Sequence, residues 1–193
     1  KSIATHDYAR NFIDYFMAER EDDQPFCFWL GVKEPHRAYE EGNGLRRGKS
    51  LDTVEVPGYY PDNEIIRSDM LDYAIEVEWY DTHVGRVIDH LREIGELDNT
   101  IIVMTSDHGM PFPRVKGQIY EMGYHLPLAV RWSDHAPAGR VVTDFINVRD
   151  FAPTFLEAAG VTPHAQFTGK SFVDVLRSST EGRVDASRDV MLT

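Results

Sequence analysis

Apolar positions along the chain follow two alternating spacings. Over residues 6 to 19, Ala9, Phe12, Ile13, Phe16 and Met17 line one stripe at helical spacing, and charged residues 19 to 23 close that helix. PFCFWLGV, residues 25 to 32, follows as a continuous, aromatic-rich run of strand length, the pattern of a buried parallel strand. From Ser68 to about Gly95 the period returns to 3.6 through Leu71, Ile75, Tyr80, Val84, Val87, Ile88, Leu91 and Ile94. Ser68 suits the N-cap of that helix and Gly95 its C-terminal cap. After an Asp98-Asn99 turn, TIIVMT (100 to 105) is the most strand-like run, with PLAVRW (127 to 132) and FINV (145 to 148) as further strands. Helices are predicted over Asp150 to Ala159, stopped by Gly160, and near 170 to 177, and a short apolar run, DVMLT, ends the chain. Strands alternating with helices predict an α/β domain: a layered, mainly parallel sheet flanked by helices.

The stretch from Glu34 to about residue 66 breaks the alternation. It carries Gly42, Gly44, Gly48, Pro57, Gly58 and Pro61, and a connection that long in a compact domain is usually a functional loop or lid. The chain shows no internal repeat and no low-complexity tract.

Composition narrows the partners. At 193 residues there is enough chain for one domain with a sizeable core. The formal charge of −12, with no basic stripe to offset it, argues against nucleic acid as a partner. In so acidic a chain, any anionic ligand needs locally concentrated cations, so the place of each Lys, Arg and His matters. No apolar run reaches the ~18 residues of a membrane span. Nor does a basic segment followed by an apolar one open the chain as a leader would, and Lys1 is not an initiator methionine, so the expectation is a piece of something longer. The single cysteine, Cys27, excludes an internal disulfide framework and is expected as a small buried hydrophobe inside PFCFWLGV.

In parallel sheets, ligands bind beyond the carboxyl ends of strands. Two predicted strands end on polar clusters: PFCFWLGV on Lys33-Glu34-Pro35-His36-Arg37, and TIIVMT on Ser106-Asp107-His108-Gly109. A carboxylate and an imidazole side by side can reach one metal ion from a tight turn. Equally, Asp107 could cap the turn beside a solvated His108. By spacing alone Lys116 is a solvated loop lysine and His36 an exposed loop residue. If the clusters act together, His36, Asp107, His108 and Lys116 converge on one sheet edge.

Several stretches resemble the sulfatase family, in the C-terminal half of its catalytic domain. They are GRVIDHLREIGELDNT, Thr105 to Gly109, Lys116, Tyr120-Glu121-Met122-Gly123, Pro127 to Trp132, the Pro-Phe-x-x-x-Leu-Gly-x-x-x-Pro-His pattern at 25 to 36, and Arg149-Asp150-x-x-Pro153-Thr154. Their order covers most of the chain. The Gly-Met-Pro-Phe-Pro loop at 109 to 113 and Glu34-Pro35-His36-Arg37 are similar to the N-sulfoglucosamine sulfohydrolase branch. The resemblance implies an alkaline-phosphatase-like fold, incomplete here, and hydrolysis of sulfate esters or sulfamates on a sugar or glycosaminoglycan. It implies Asp107 and His108 as ligands of Ca²⁺ or another divalent metal. It implies Lys116 and His36 as contacts to the substrate sulfate, His36 also as a proton donor to the leaving group. A secreted, periplasmic or lysosomal parent would fit that family.

The family's nucleophile, a formylglycine made from Cys or Ser in a Cys/Ser-x-(Pro/Ala)-x-Arg motif, has no counterpart here. Cys27 precedes Phe-Trp-Leu-Gly, and Ser179-Thr-Glu-Gly-Arg183 lacks the central Pro or Ala. The family's N-terminal aspartate pair is also missing before residue 25. The resemblance therefore implies a partial catalytic domain over 1–193, with the nucleophile-bearing N-terminal portion and the C-terminal subdomain outside it, and an isolated fragment without activity. Two alternatives remain open: a metal-dependent phosphodiesterase or phosphonate monoester hydrolase of the same superfamily, and a non-catalytic binding domain. Imidazole favours Zn²⁺ over Ca²⁺, which suits the first; Lys116 and the Tyr-Glu-x-Gly turn favour sulfatase.

Overall fold

A computed structural model describes residues 6–21 and 24–192, so Asp22 and Asp23, read as part of the first helix's charged end, lie outside the described residues. The chain divides into two compact units. The first runs up to Gly95 and takes in Met110–Phe112; the second comprises Glu96–Gly109 and the chain from Pro113 onward.

The first unit is built on one long helix. A short helix α1 (Tyr8–Arg10), capped by the Asp7 carboxylate at 3.0 Å from the Arg10 N–H, continues in π-helical form through Asn11–Met17. Its predicted stripe is the buried one: Ala9 is wholly buried and Phe12 nearly so. Phe12 meets the Phe28 ring edge-on and Phe16 meets it tilted, at ring distances of 5.0 and 4.7 Å. Within the long polar stretch, a small helix α2 (Asn43–Arg46) packs on α3 (Glu64–Glu93). The buried Asp72 carboxylate of α3 holds α2 by accepting the Gly42 and Gly44 N–H groups, each at 2.8 Å. Helix α3 starts earlier than the sequence suggests. Asn63, not Ser68, caps it through the Ile66 N–H at 3.0 Å. Its far end is as expected, with Gly95 in the left-handed region at φ +77°.

His83 sits on the buried face of α3 with 1% of its surface exposed. Its Nδ1 accepts the Ala9 N–H at 3.2 Å, and its ring packs edge-on against Tyr8 and Trp79. Burial holds this imidazole below its ordinary pKa, partly opposed by Asp7, whose carboxylate lies 3.5 Å away.

Residues 25 to 32 correct an expectation. No strand is assigned there, and exposure alternates: Phe26, Phe28, Leu30 and Val32 are half-buried, whereas Cys27 and Trp29 are exposed, Trp29 by 88%. The run has the two-residue side-chain period of a strand without ladder partners among the described residues. One face packs on Phe12 and Phe16; the other, which carries Cys27, is open.

In the second unit, β1 (Ile102–Thr105) pairs antiparallel with β2 (Leu128–Arg131), from Ile102 opposite Arg131 to Thr105 opposite Leu128. The connection between them doubles back without a crossover helix on the sheet, which gives antiparallel pairing. Residues 145 to 148 form no strand; a 3₁₀ turn, Val148–Asp150, leads into helix α5 (Phe151–Ala158). Between β1 and β2 lies a single turn of helix, α4 (Glu121–Tyr124), and α6 (Val173–Arg177) packs on α5. At the start of α5, Asp150 is a buried hub. It accepts the Asn147 and Lys170 N–H groups at 3.1 and 2.9 Å and pairs with the buried Arg188 guanidinium at 3.1 Å. No helix among the described residues is long and apolar enough to cross a membrane.

Candidate functional site

Strand β1 delivers the polar cluster that the sequence singled out. Immediately after Thr105 the Ser106 hydroxyl donates to the His108 carbonyl at 2.5 Å, bending the chain into a tight turn. That turn leaves the Asp107 carboxylate largely exposed, with His108 Nε2 3.5 Å from its Oδ2. His108 Nδ1 lies 2.7 Å from the Gly109 carbonyl. A carbonyl only accepts, so Nδ1 carries the proton and the neutral ring keeps its lone pair on Nε2, on the Asp107 side. A carboxylate oxygen and an imidazole nitrogen are thus paired as donors for a cation. Among the described residues no third His, Cys, Asp or Glu completes a cluster, and a hard ion such as Ca²⁺ takes ~6–8 oxygen ligands. The pair fits part of such a donor set; the remaining ligands would come from elsewhere.

The loop after the turn is closed by two glycines. The Gly109 N–H donates to the Gly123 carbonyl at 3.2 Å. A Cβ on Gly109 would fall 1.9 Å from the Met122 carbonyl oxygen, and one on Gly123 would fall 2.4 Å from that of Gln118. Only a residue without a side chain permits backbones that close. Val115 is wholly buried inside this closure, and Lys116 beside it stands exposed, with no hydrogen bond or ion pair among the described residues. Arg114 differs: its guanidinium lies 5.1 Å over the Tyr120 ring.

His36 belongs to the first unit. Its N–H donates to the Lys33 carbonyl at 3.0 Å, and its Nδ1 is hydrogen-bonded to the Arg37 carbonyl. The same logic puts the proton on Nδ1 and leaves Nε2 of the exposed ring as its reactive atom. The structure therefore brings Asp107 and His108 together, holds Lys116 on the loop that follows them, and places His36 on a separate loop of the first unit. Sequence reasoning passed over Val115, Gly123 as the loop's closing point, and Arg37. The Tyr-Glu-x-Gly turn was a signal for Gly123; Arg37 was visible only as a neighbour of His36.

The family model for sulfatases matches residues 2–161. An N-acetylglucosamine-6-O-sulfatase of Bacteroides thetaiotaomicron is 39% identical over 154 residues, covering 78% of this chain and 25% of that protein. Human N-sulphoglucosamine sulphohydrolase is 29% identical over 161 residues, covering 72% of this chain and 32% of that protein. A solved sulfated-sugar complex, described as holding its substrate D-glucosamine-2-N,6-O-disulfate, is 35% identical with a TM-score of 0.58, over 65% of this chain and 27% of that one. A phosphonate monoester hydrolase from Silicibacter pomeroyi is 31% identical with a TM-score of 0.52, over 70% of this chain and 28% of that one. The chain thus spans about a quarter to a third of the length of these proteins. A match over residues 2–161, together with the strand-end Asp107–His108 pair and its glycine-closed loop, places the chain in the sulfatase family.

Proposed function

We propose that the protein carrying this chain is a sulfatase that hydrolyses sulfate esters or sulfamates on an amino sugar or glycosaminoglycan. The observation that carries it is the pairing of Asp107 and His108 at the end of β1, followed by a glycine-closed loop that leaves Lys116 exposed and, among the described residues, without an ion pair in a chain of net charge −12. Asp107 and His108 would hold Ca²⁺, or another divalent metal, through the carboxylate and His108 Nε2. Such an ion supplies positive charge to the sulfuryl oxygens when bound. Lys116 supplies a second cation to the same group, where preorganised charge counts most. His36, protonated on Nε2 at the reacting stage, would deliver that proton to the leaving oxygen or nitrogen. The formylglycine nucleophile would come from chain outside these residues. The relatives named for amino-sugar substrates support the substrate class. A secreted, periplasmic or lysosomal setting goes with the same reading.

The test is turnover by the full-length protein. Sulfate release from N-sulfoglucosamine or glucosamine 6-sulfate, lost with Asp107→Ala together with bound divalent metal, is the expected result. Hydrolysis of a phenyl phosphonate with no sulfate release would replace this reading with the phosphonate monoester hydrolase.

A further inference from the structure

Arg37, next to His36 in the chain, shares its motif but has been given no role. Its guanidinium makes a two-pronged contact with Asp69 of α3, one prong at 3.0 Å. Its Nε donates to the Pro111 carbonyl, also at 3.0 Å. Its Cζ lies over the Tyr39 ring, 4.8 Å from the ring centre, and over that of Phe112 at 4.7 Å. Phe112 is itself buried, 4% exposed, with Tyr73 edge-on at 5.9 Å. Tyr39 closes its own loop by donating to the Pro35 carbonyl at 3.1 Å. The Asp69 carboxylate raises the pKa of an already strong base, so Arg37 is a permanent cation.

Both ends of this contact matter by position in the chain. Arg37 follows His36 and supplies the carbonyl that orients the His36 ring. Pro111 and Phe112 lie between Asp107-His108 and Lys116. An ion pair with side chains 40% and 31% exposed adds little stability in itself. A planar fork bonded to a carboxylate and a backbone carbonyl, and lying over two rings, instead fixes direction.

We propose that Arg37 is a positioning residue for the sulfuryl-transfer chemistry: through Asp69, Pro111 and Phe112 it fixes the loop that bears His36. This rests on the sulfatase reading above. Lysine cannot replace it, because a single ammonium cannot serve Asp69 and Pro111 as a fork does.

The experiment is steady-state kinetics of the full-length enzyme on 4-nitrophenyl sulfate and N-sulfoglucosamine, with Arg37→Lys, Asp69→Asn and the double variant. Arg37→Lys is expected to lower kcat by about 10²-fold, the scale of an ångström-size misplacement, with KM nearly unchanged and thermal midpoint and metal content preserved. Asp69→Asn should lose less, and the double variant should be no worse than Arg37→Lys, because both break one unit. If Arg37→Lys does not fold, the kcat of Asp69→Asn decides. Full kcat in either variant, or a loss confined to KM, overturns the positioning role while leaving the sulfatase reading intact. A wild-type enzyme that releases no sulfate from either probe overturns the sulfatase reading, and the role of Arg37 with it.

Discussion

Two stretches read alike in the sequence, PFCFWLGV leading to His36 and TIIVMT leading to Asp107, and the fold builds them by different means. The second is a matter of backbone. β1 has its ladder to β2, and the loop beyond it is shut by Gly109 and Gly123 meeting carbonyl oxygens at distances no side chain allows. The first is a matter of side chains. Residues 25 to 32 have no ladder partner among the described residues and rest on Phe12 and Phe16, and the His36 loop beyond is held by the Arg37 guanidinium. An apolar run that ends in a polar cluster predicts where chemistry is offered. It does not predict whether hydrogen bonds or packed rings will hold it there.

The comparison is broken most severely at Gly109. In Gly109→Ala the new Cβ collides with the Met122 carbonyl, which is backbone and cannot rotate away. Turnover should fall at least as far as on removing Lys116, with divalent-metal content reduced as well. Normal metal content and turnover in Gly109→Ala would show that the loop is not shut by backbone contact.

Lys116→Ala tests what that loop is for. Losing one charge-assisted contact to a transferring group costs about 2.7–4 kcal/mol, or about 10²–10³-fold in kcat. Fold and metal content should survive, and Arg114→Ala, which removes a guanidinium stacked on Tyr120, should have a much smaller effect. Equal losses in the two variants would make Lys116 one surface charge among several.

The side-chain-built stretch should respond to loss of packing, not to loss of charge. Phe28→Ala removes a half-buried ring in contact with Phe12 and Phe16, and should lower stability by about 2 kcal/mol, below the range for a fully buried phenylalanine. Denaturant melts of the full-length protein measure it; no change would mean that the aromatic cluster does not anchor residues 25 to 32.

The smallest effect is a dependence on pH centred on His83. Burial depresses its folded pKa below the unfolded 6.5, so between those two values the unfolded chain binds the extra proton. Stability is therefore full above about pH 6.5 and declines as pH falls through the window below it, by at most about 1.4 kcal/mol per pH unit. Asp7 and Glu34 oppose the shift and Arg86 adds to it. His83→Gln keeps an acceptor for the Ala9 N–H and should flatten thermal midpoints between pH 7 and 5. An unchanged slope would assign the acid sensitivity to other groups.

The sequence alone determined the helical stripe of Ala9 and Phe12, the C-terminal stop of α3 at Gly95, both paired strands, and the juxtaposition of Asp107 with His108. These follow from local rules: side-chain period, glycine's access to positive φ, and adjacency in the chain. The residues it misplaced depend on what comes from far away. Cys27 and Trp29 were expected inside because an apolar run looks the same whether one face or both are covered; here one is. Asn63 rather than Ser68 begins α3, since either can cap and only the folded chain shows which side chain reaches a free N–H. Asp150 draws its partner Arg188 from 38 residues on, and Arg37 draws Pro111 from 74 residues on. Separations that long leave no periodic trace in a sequence, so tertiary structure alone decided those two contacts, because hydrogen-bond geometry is settled only when distant backbone is brought within 3 Å or so.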